Sequence, residues 1–128
     1  MTMPTEAEAR RLLRALDAVL ALPRPVGEPA GPGFCYPEAV SHLIGEINHR
    51  WADKTYSPAR DGAWLHEAGA AAALDVEGLG RALTWFMRAE RFAEGAWRAA
   101  IGDEGLGRLR ARLGVLLAEG AFEALPCF

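Results

Sequence analysis

Apolar residues in this chain return every third or fourth position, and nowhere do they alternate with period two over a useful length. Positions i, i+3, i+4 and i+7 share one face of a helix, so such a chain hides its apolar surface by laying helices against one another. Leu12, Leu13, Leu16, Val19 and Leu20 form the clearest stripe. Thr5 and Glu8 precede it at capping-box spacing, where hydroxyl and carboxylate satisfy each other's free backbone N–H groups. Pro23 and Pro25 end that helix.

Residues Pro23 to Gly33 (PRPVGEPAGPG) read as a loop, because missing N–H groups and unrestrained glycines exclude helix or central strand. A second helix opens at Pro37, with Val40, Leu43, Ile44, Ile47 and Trp51 inward and Glu38, His42, Glu46 and His49 outward. Lys54 to Gly62 is a polar break in which Ser57-Pro58 starts a turn. Trp64 to Leu74 reads as an alanine-rich helical segment. Asp75 caps a further helix with Leu79, Leu83, Phe86 and Met87 inside. Gly95 and Gly102 bracket a short helix bearing Trp97 and Ile101. Asp103 then caps the last long helix, with Leu106, Leu109, Leu113, Leu116 and Leu117 inside and Gly120 as its stop. The expectation is all-α: five to six helices in a single compact bundle-like domain over residues 1–128, with no substantial sheet and a flexible tail over 121–128. A two-stranded piece has room only around Gly33 to Tyr36 or Ala121 to Phe128. The pentapeptide E-G-L-G-R occurs at Glu77 to Arg81 and again at Glu104 to Arg108. The flanks differ, so this reads as one helix-start chemistry used twice: an acidic cap, then small residues that let another element approach.

A chain of 128 residues hides roughly two thirds of its unfolded surface and needs no metal or disulfide staple. The formal charge of -3 argues against a phosphate backbone as the main partner. Two cysteines, Cys35 and Cys127, fit a reducing compartment. Met1 to Leu22 mixes charges with its leucines and makes no export signal. The longest weakly polar run, Ala68 to Leu74, is too short for a bilayer. The protein therefore reads as cytoplasmic, with no membrane partner. Thirteen arginines stand against one lysine (Lys54), one asparagine (Asn48) and no glutamine. That bias reflects a GC-rich genome and is compatible with a thermophile.

The stretch LTWFMRAERFAEGAW, Leu83 to Trp97, resembles a bacterial family of small domains of unknown function. That family is marked by L-T-x-x-x-R-x-E-R-F, a variable residue that is often cysteine, E-G, and then a leucine-rich helix. The matching positions are Leu83, Thr84, Arg88, Glu90, Arg91, Phe92, Glu94 and Gly95, with Leu106, Leu109 and Leu113 in the helix that follows. Weaker similarity reaches back to Pro37. It passes a segment where the family often has two tryptophans and this chain has one, Trp64. The resemblance implies a shared fold and no activity.

Four constellations carry candidate chemistry. Arg81, Trp85, Arg88 and Phe92 share a helix face, where guanidiniums can stack on rings and a partly desolvated arginine pair prefers a carboxylate or phosphate. There Arg88 and Arg91 either grip an anion or pair with Glu90, Glu94 and Asp103 and clamp the turn at Gly95; Phe92 and Trp97 read as core. His42, Glu46 and His49, with Cys35 or His66, are metal-ligand types. However, His42 and His49 lie two turns apart, about 10 Å, against metal bonds of about 2 Å, and no H-E-x-x-H occurs. For catalysis there is only Cys35 with a histidine base or a histidine–carboxylate pair, and Asp61, His66 and Glu67 read as surface residues. Arg108, Arg110 and Arg112 make the last helix a nucleic-acid candidate, opposed by Asp103 and Glu104 at its start.

These observations favour a non-catalytic binding or interaction module for a small anionic ligand or protein partner. Its site would hold Arg88, Arg91 and Glu94 with Trp85 and Trp64, roofed by Trp51 and Tyr56. The alternative is a nucleic-acid-linked regulatory protein using the last helix, and the third an enzyme using Cys35 or a histidine–carboxylate pair. No cofactor is expected. An apolar stripe left uncovered on the first or last helix would point to a homodimer.

Overall fold

The computed structural model describes residues 3–122. Six α-helices run in chain order: α1 (Glu6–Leu20), α2 (Glu38–Glu46), α3 (Ala68–Ala72), α4 (Val76–Phe92), α5 (Ala96–Gly102) and α6 (Gly105–Ala118). A π turn, Ile47–Trp51, extends α2, and a 3-10 turn, Ala63–Leu65, precedes α3. The strands are β1 (Glu28–Ala30) and β2 (Gly33–Cys35), an antiparallel hairpin pairing Glu28 with Cys35 and Ala30 with Gly33. The fold is all-α apart from this hairpin.

α1 forms as its sequence dictates. Thr5 and Glu8 close the capping box, with Glu8 N–H donating to Thr5 Oγ1 at 3.2 Å and Thr5 N–H to Glu8 Oε1 at 2.9 Å. Leu12, Leu16 and Val19 are fully buried between α2 and α6, each contributing about 1.5–3 kcal/mol of burial. Leu106, Leu109, Leu113 and Leu116 of α6 join the same apolar cluster with Leu79, Leu83 and Phe86 of α4. The stripes of α1 and α6 are thus covered within one copy of the chain.

Three expectations are corrected. The segment 64–74 is not one helix, because Trp64 turns inward on the 3-10 turn, 1% exposed, and α3 starts afresh at Ala68. Alanine favours helix but supplies no stripe to anchor it, so packing of the tryptophan decides the path. Asp103 does not cap α6. Glu104 takes that position at φ 65 with no side-chain cap, and Gly105 is pressed against Leu65 and Trp64. The loop expected over 23–33 contains β1, because Gly31 at φ 58 permits a two-residue turn and Pro29 is tolerated in a sheet of only two edge strands. Of the tail expected over 121–128, Ala121 N–H donates to Leu116 O and Phe122 is buried against Trp51. Cys127 and the strand considered near it lie outside the described residues, apart from Ala121 and Phe122.

Candidate functional site

The second half of α4 lies between two concavities. One side is closed by the polar break after the π turn. Its anchor is Thr84, 1% exposed, whose hydroxyl donates to Gly80 O at 2.7 Å and accepts from Asp53 N–H at 2.9 Å. A buried hydroxyl that both donates and accepts leaves no hydrogen-bonding group unmet and fixes the start of the break on α4. Asp53 Oδ1 accepts from Thr55, and Asp61 accepts from Ser57 N–H at 2.6 Å and from Arg60. Asp61 was expected to be an ordinary surface residue; instead it ties the break together. Burial raises its pKa, but hydrogen bonds from Arg60 and Ser57 and the charges of Arg60 and Arg81 outweigh that and hold it below the usual carboxylate range. Trp85 Nε1 donates to Pro58 O at 3.1 Å and completes the closure.

Between the break and α4 is an apolar groove of about 460 Å³ lined by Tyr56, Pro58, Trp85, Arg88, Phe92 and small alanines. Phe92, expected in the core, is 76% exposed at its rim. The helix ends there, and Ala93 leaves in extended conformation, so no neighbour covers the ring.

The other concavity is a cleft of about 670 Å³ between α2 and α4. Ser41, Ile44, Gly45 and Asn48, at i, i+3, i+4 and i+7, form one wall; Met87, Arg88, Glu90, Arg91 and Trp97 form the other. A Cβ at Gly45 would meet nothing within 4 Å, so this glycine serves no close approach and only keeps the wall low. Arg88 lines both concavities. Its guanidinium lies over the Tyr56 ring at 5.4 Å, its Nε is buried without a hydrogen-bond partner, and it enters no ion pair among the described residues. Arg91 is exposed and also enters none.

Glu90 performs the clamping once considered for the arginines. Oε1 accepts from Tyr36 O–H at 2.9 Å and Trp97 N–H at 3.0 Å, and Oε2 from Gly95 N–H at 2.7 Å. Gly95, at φ 85, turns the chain from α4 into α5 while Phe34 of the hairpin packs on it. The Tyr36 hydroxyl is pushed up to about 12 by burial first, then by its bond to Glu90 and that carboxylate's charge.

The remaining predicted residues lie apart. Trp64 is core, edge-on to Trp85 at 5.6 Å, and lines neither concavity. Trp51 is buried near Phe122 and does not roof the site. Glu94 is exposed, lines neither concavity and makes no side-chain hydrogen bond or ion pair among the described residues. His42 and His49 are exposed, Glu46 accepts from Arg11 at 2.8 Å, and among the described residues no three His, Cys, Asp or Glu side chains converge as for a metal. Cys35 is exposed, in a depression lined by no histidine. Arg108 donates to Leu65 O, Arg112 to Leu74 O, and Arg110 pairs with Asp17. Sequence reasoning missed Ser41, Gly45, Asn48 and Pro58. For the first three, a glycine inside a helix with polar residues at i−4 and i+3 was the available signal.

Together these elements define a small, mainly helical domain in which Arg88, half-buried and without an ion pair among the described residues, lines both an apolar groove and a cleft of mixed polarity. The chain belongs to DUF6508, a family of unknown function, whose family model matches residues 37–119. That span runs from α2 to α6 and takes in both concavities. Neither the curated proteins nor the solved structures match the chain. Among the described residues no helix is long and apolar enough to cross a membrane.

Proposed function

We propose that the protein is a non-catalytic binding module that takes a small anion in the cleft between α2 and α4. The observation that carries this is Arg88: a guanidinium lying over the Tyr56 ring, with a buried, unpartnered Nε and no ion pair among the described residues. Desolvating a charge without pairing it is costly, so such a group favours an incoming acceptor. A guanidinium presents a planar fork of N–H donors that matches the two oxygens of a carboxylate. Arg91, the Ser41 hydroxyl and the Asn48 amide line the same space. The lining offers no nucleophile paired with a base. The cytoplasmic placement and bacterial origin drawn from composition and resemblance belong to the same reading.

The chain's only carboxamide side chain is Asn48, so its NH2 pair stands alone among side-chain amides in a 15N-correlated NMR spectrum. Titration with sodium acetate at constant ionic strength is expected to shift that pair and the Arg88 Nε–H saturably. Arg88→Met should abolish the shift. Gly45→Leu should do so as well, by projecting a side chain into the cleft from a position where a Cβ meets nothing within 4 Å. A shift that survives both substitutions, or none at all, refutes the reading.

A further inference from the structure

The groove and the cleft share one side chain, and their linings differ in kind. Arg88 is the only charged residue of the groove, whose other walls are Tyr56, Pro58, Trp85, Phe92 and alanines. The cleft, which Arg88 also lines, mixes the polar Ser41, Asn48, Glu90 and Arg91 with Ile44, Met87 and Trp97. We infer that the anion is the carboxylate of an apolar acid: its head lies in the cleft against Arg88 and Arg91, and its body lies in the groove between Tyr56 and Phe92. This rests on the anion reading above and names the class of ligand.

The charge of the cleft selects a carboxylate. Arg88 and Arg91 line the cleft together with Glu90, which cannot swing away because both its oxygens are held by Tyr36, Gly95 and Trp97. Two guanidiniums against one fixed carboxylate leave a single positive charge, enough for one negative charge. A phosphate dianion would be undercompensated and would meet Glu90. The groove selects an apolar body. Its volume of about 460 Å³ is within the range of small-molecule sites. Alanines at 89, 93 and 96 keep its floor open, and the Phe92 ring stands 76% exposed at its rim. A body laid there covers that ring while the carboxylate reaches the guanidinium that walls the groove.

The test is a titration of the full 15N-labelled chain with acetate, hexanoate and octanoate, and with 1-octanol and inorganic phosphate as controls. The readouts are the Asn48 amide and the Trp85 indole N–H. Octanoate is expected to move both, and each added methylene to tighten binding about three- to fourfold. Octanol should bind at least tenfold more weakly than octanoate and leave Asn48 in place. Phe92→Ser, at an exposed position, should flatten the chain-length gain while acetate still shifts Asn48. Equal dissociation constants for acetate and octanoate would overturn the apolar-acid inference and leave the anion reading standing. So would tighter binding of phosphate, or an undiminished gain in Phe92→Ser. If no anion in the series moves Asn48, the anion reading falls as well.

Discussion

On α6, Arg108 donates to the main-chain oxygen of Leu65 at 3.0 Å, Arg112 to that of Leu74 at 2.6 Å, and Arg110 pairs with Asp17 at 2.8 Å. On α4, Arg81 approaches Asp61 at 3.6 Å, while Arg88 lies over a tyrosine ring and Arg91 is exposed along the cleft. Leu65 ends the 3-10 turn and Leu74 follows α3, so the two carbonyls bound by α6 are among those a helix end leaves without a partner. Arg108 and Arg112 are therefore joints between segments about 40 residues apart. The same residue type is a structural fastener in one helix and an uncommitted donor in the other. Neither its charge nor its density along the chain distinguishes the two. On α6, the helix whose arginine density makes it a nucleic-acid candidate, two of the three arginines are bound to main-chain oxygens and the third to an exposed carboxylate.

This contrast can be broken or sharpened by substitution. The largest effect is expected for Arg112→Met, and nearly as large for Arg108→Met. Each strands a main-chain carbonyl and should lower unfolding free energy by about 1.5–3 kcal/mol, read as a shifted urea midpoint at constant slope. Should either variant unfold with the wild type, α6 has no fasteners and the contrast disappears. Tyr36→Phe removes one of three bonds to Glu90 and should cost about 1 kcal/mol. It should also change the alkaline limb of stability. The folded Tyr36 hydroxyl ionises near 12 against an ordinary 10.0. Its contribution is thus complete below pH 10 and is lost as pH rises toward 12. The wild type should weaken over that window, and the variant should weaken less.

Arg110→Met breaks an exposed pair whose members are both 40% exposed or more. It should cost about 0.2–1 kcal/mol, and less in high salt. The smallest effect belongs to α4. Arg88→Met and Arg91→Met should unfold within about 0.5 kcal/mol of the wild type while anion binding is lost. If Arg88→Met proved as damaging as Arg112→Met, Arg88 would be a fastener after all and the proposed site would lose its motive.

On the acid side, Asp61, Asp53 and Glu8 all titrate below their ordinary values. Hydrogen bonds from Thr55 hold Asp53 down. For Glu8, burial pushes upward and is outweighed by bonds from Arg50 and Thr5. Their stabilisation is present above the ordinary carboxyl range and disappears as pH falls through the lowered values. A melting temperature unchanged between pH 5 and pH 2 would contradict all three.

Local grammar was legible wherever neighbours in sequence are also neighbours in space. The Thr5–Glu8 box, the Asp75 cap bonded to Gly78 N–H, the α5 bracket at Gly95 and the stop at Gly120 all stand as their spacing implied. The repeated E-G-L-G-R shows where such reading ends. Its first copy follows a true cap and uses Gly80 to admit the Trp51 carbonyl, whose oxygen would lie 3.0 Å from a Cβ there; its second starts on a left-handed Glu104 and uses Gly105 to admit Leu65 and Trp64. Identical residues take different parts because the element arriving beside each one is different.

Of the residues that line the two concavities, Trp85, Arg88 and Phe92 could be read as neighbours, because they share one helix face at i, i+3 and i+7. Glu94 and Trp64 were misplaced and Ser41, Gly45 and Asn48 were missed, since a cleft needs two walls and the second comes from α2. The order of residues was enough to settle helix or loop at most positions, because periodicity, caps and turns act over three to seven residues. Which arginines remain free was settled only when distant carbonyls, a tyrosine ring and a clamped glutamate were brought within bonding distance.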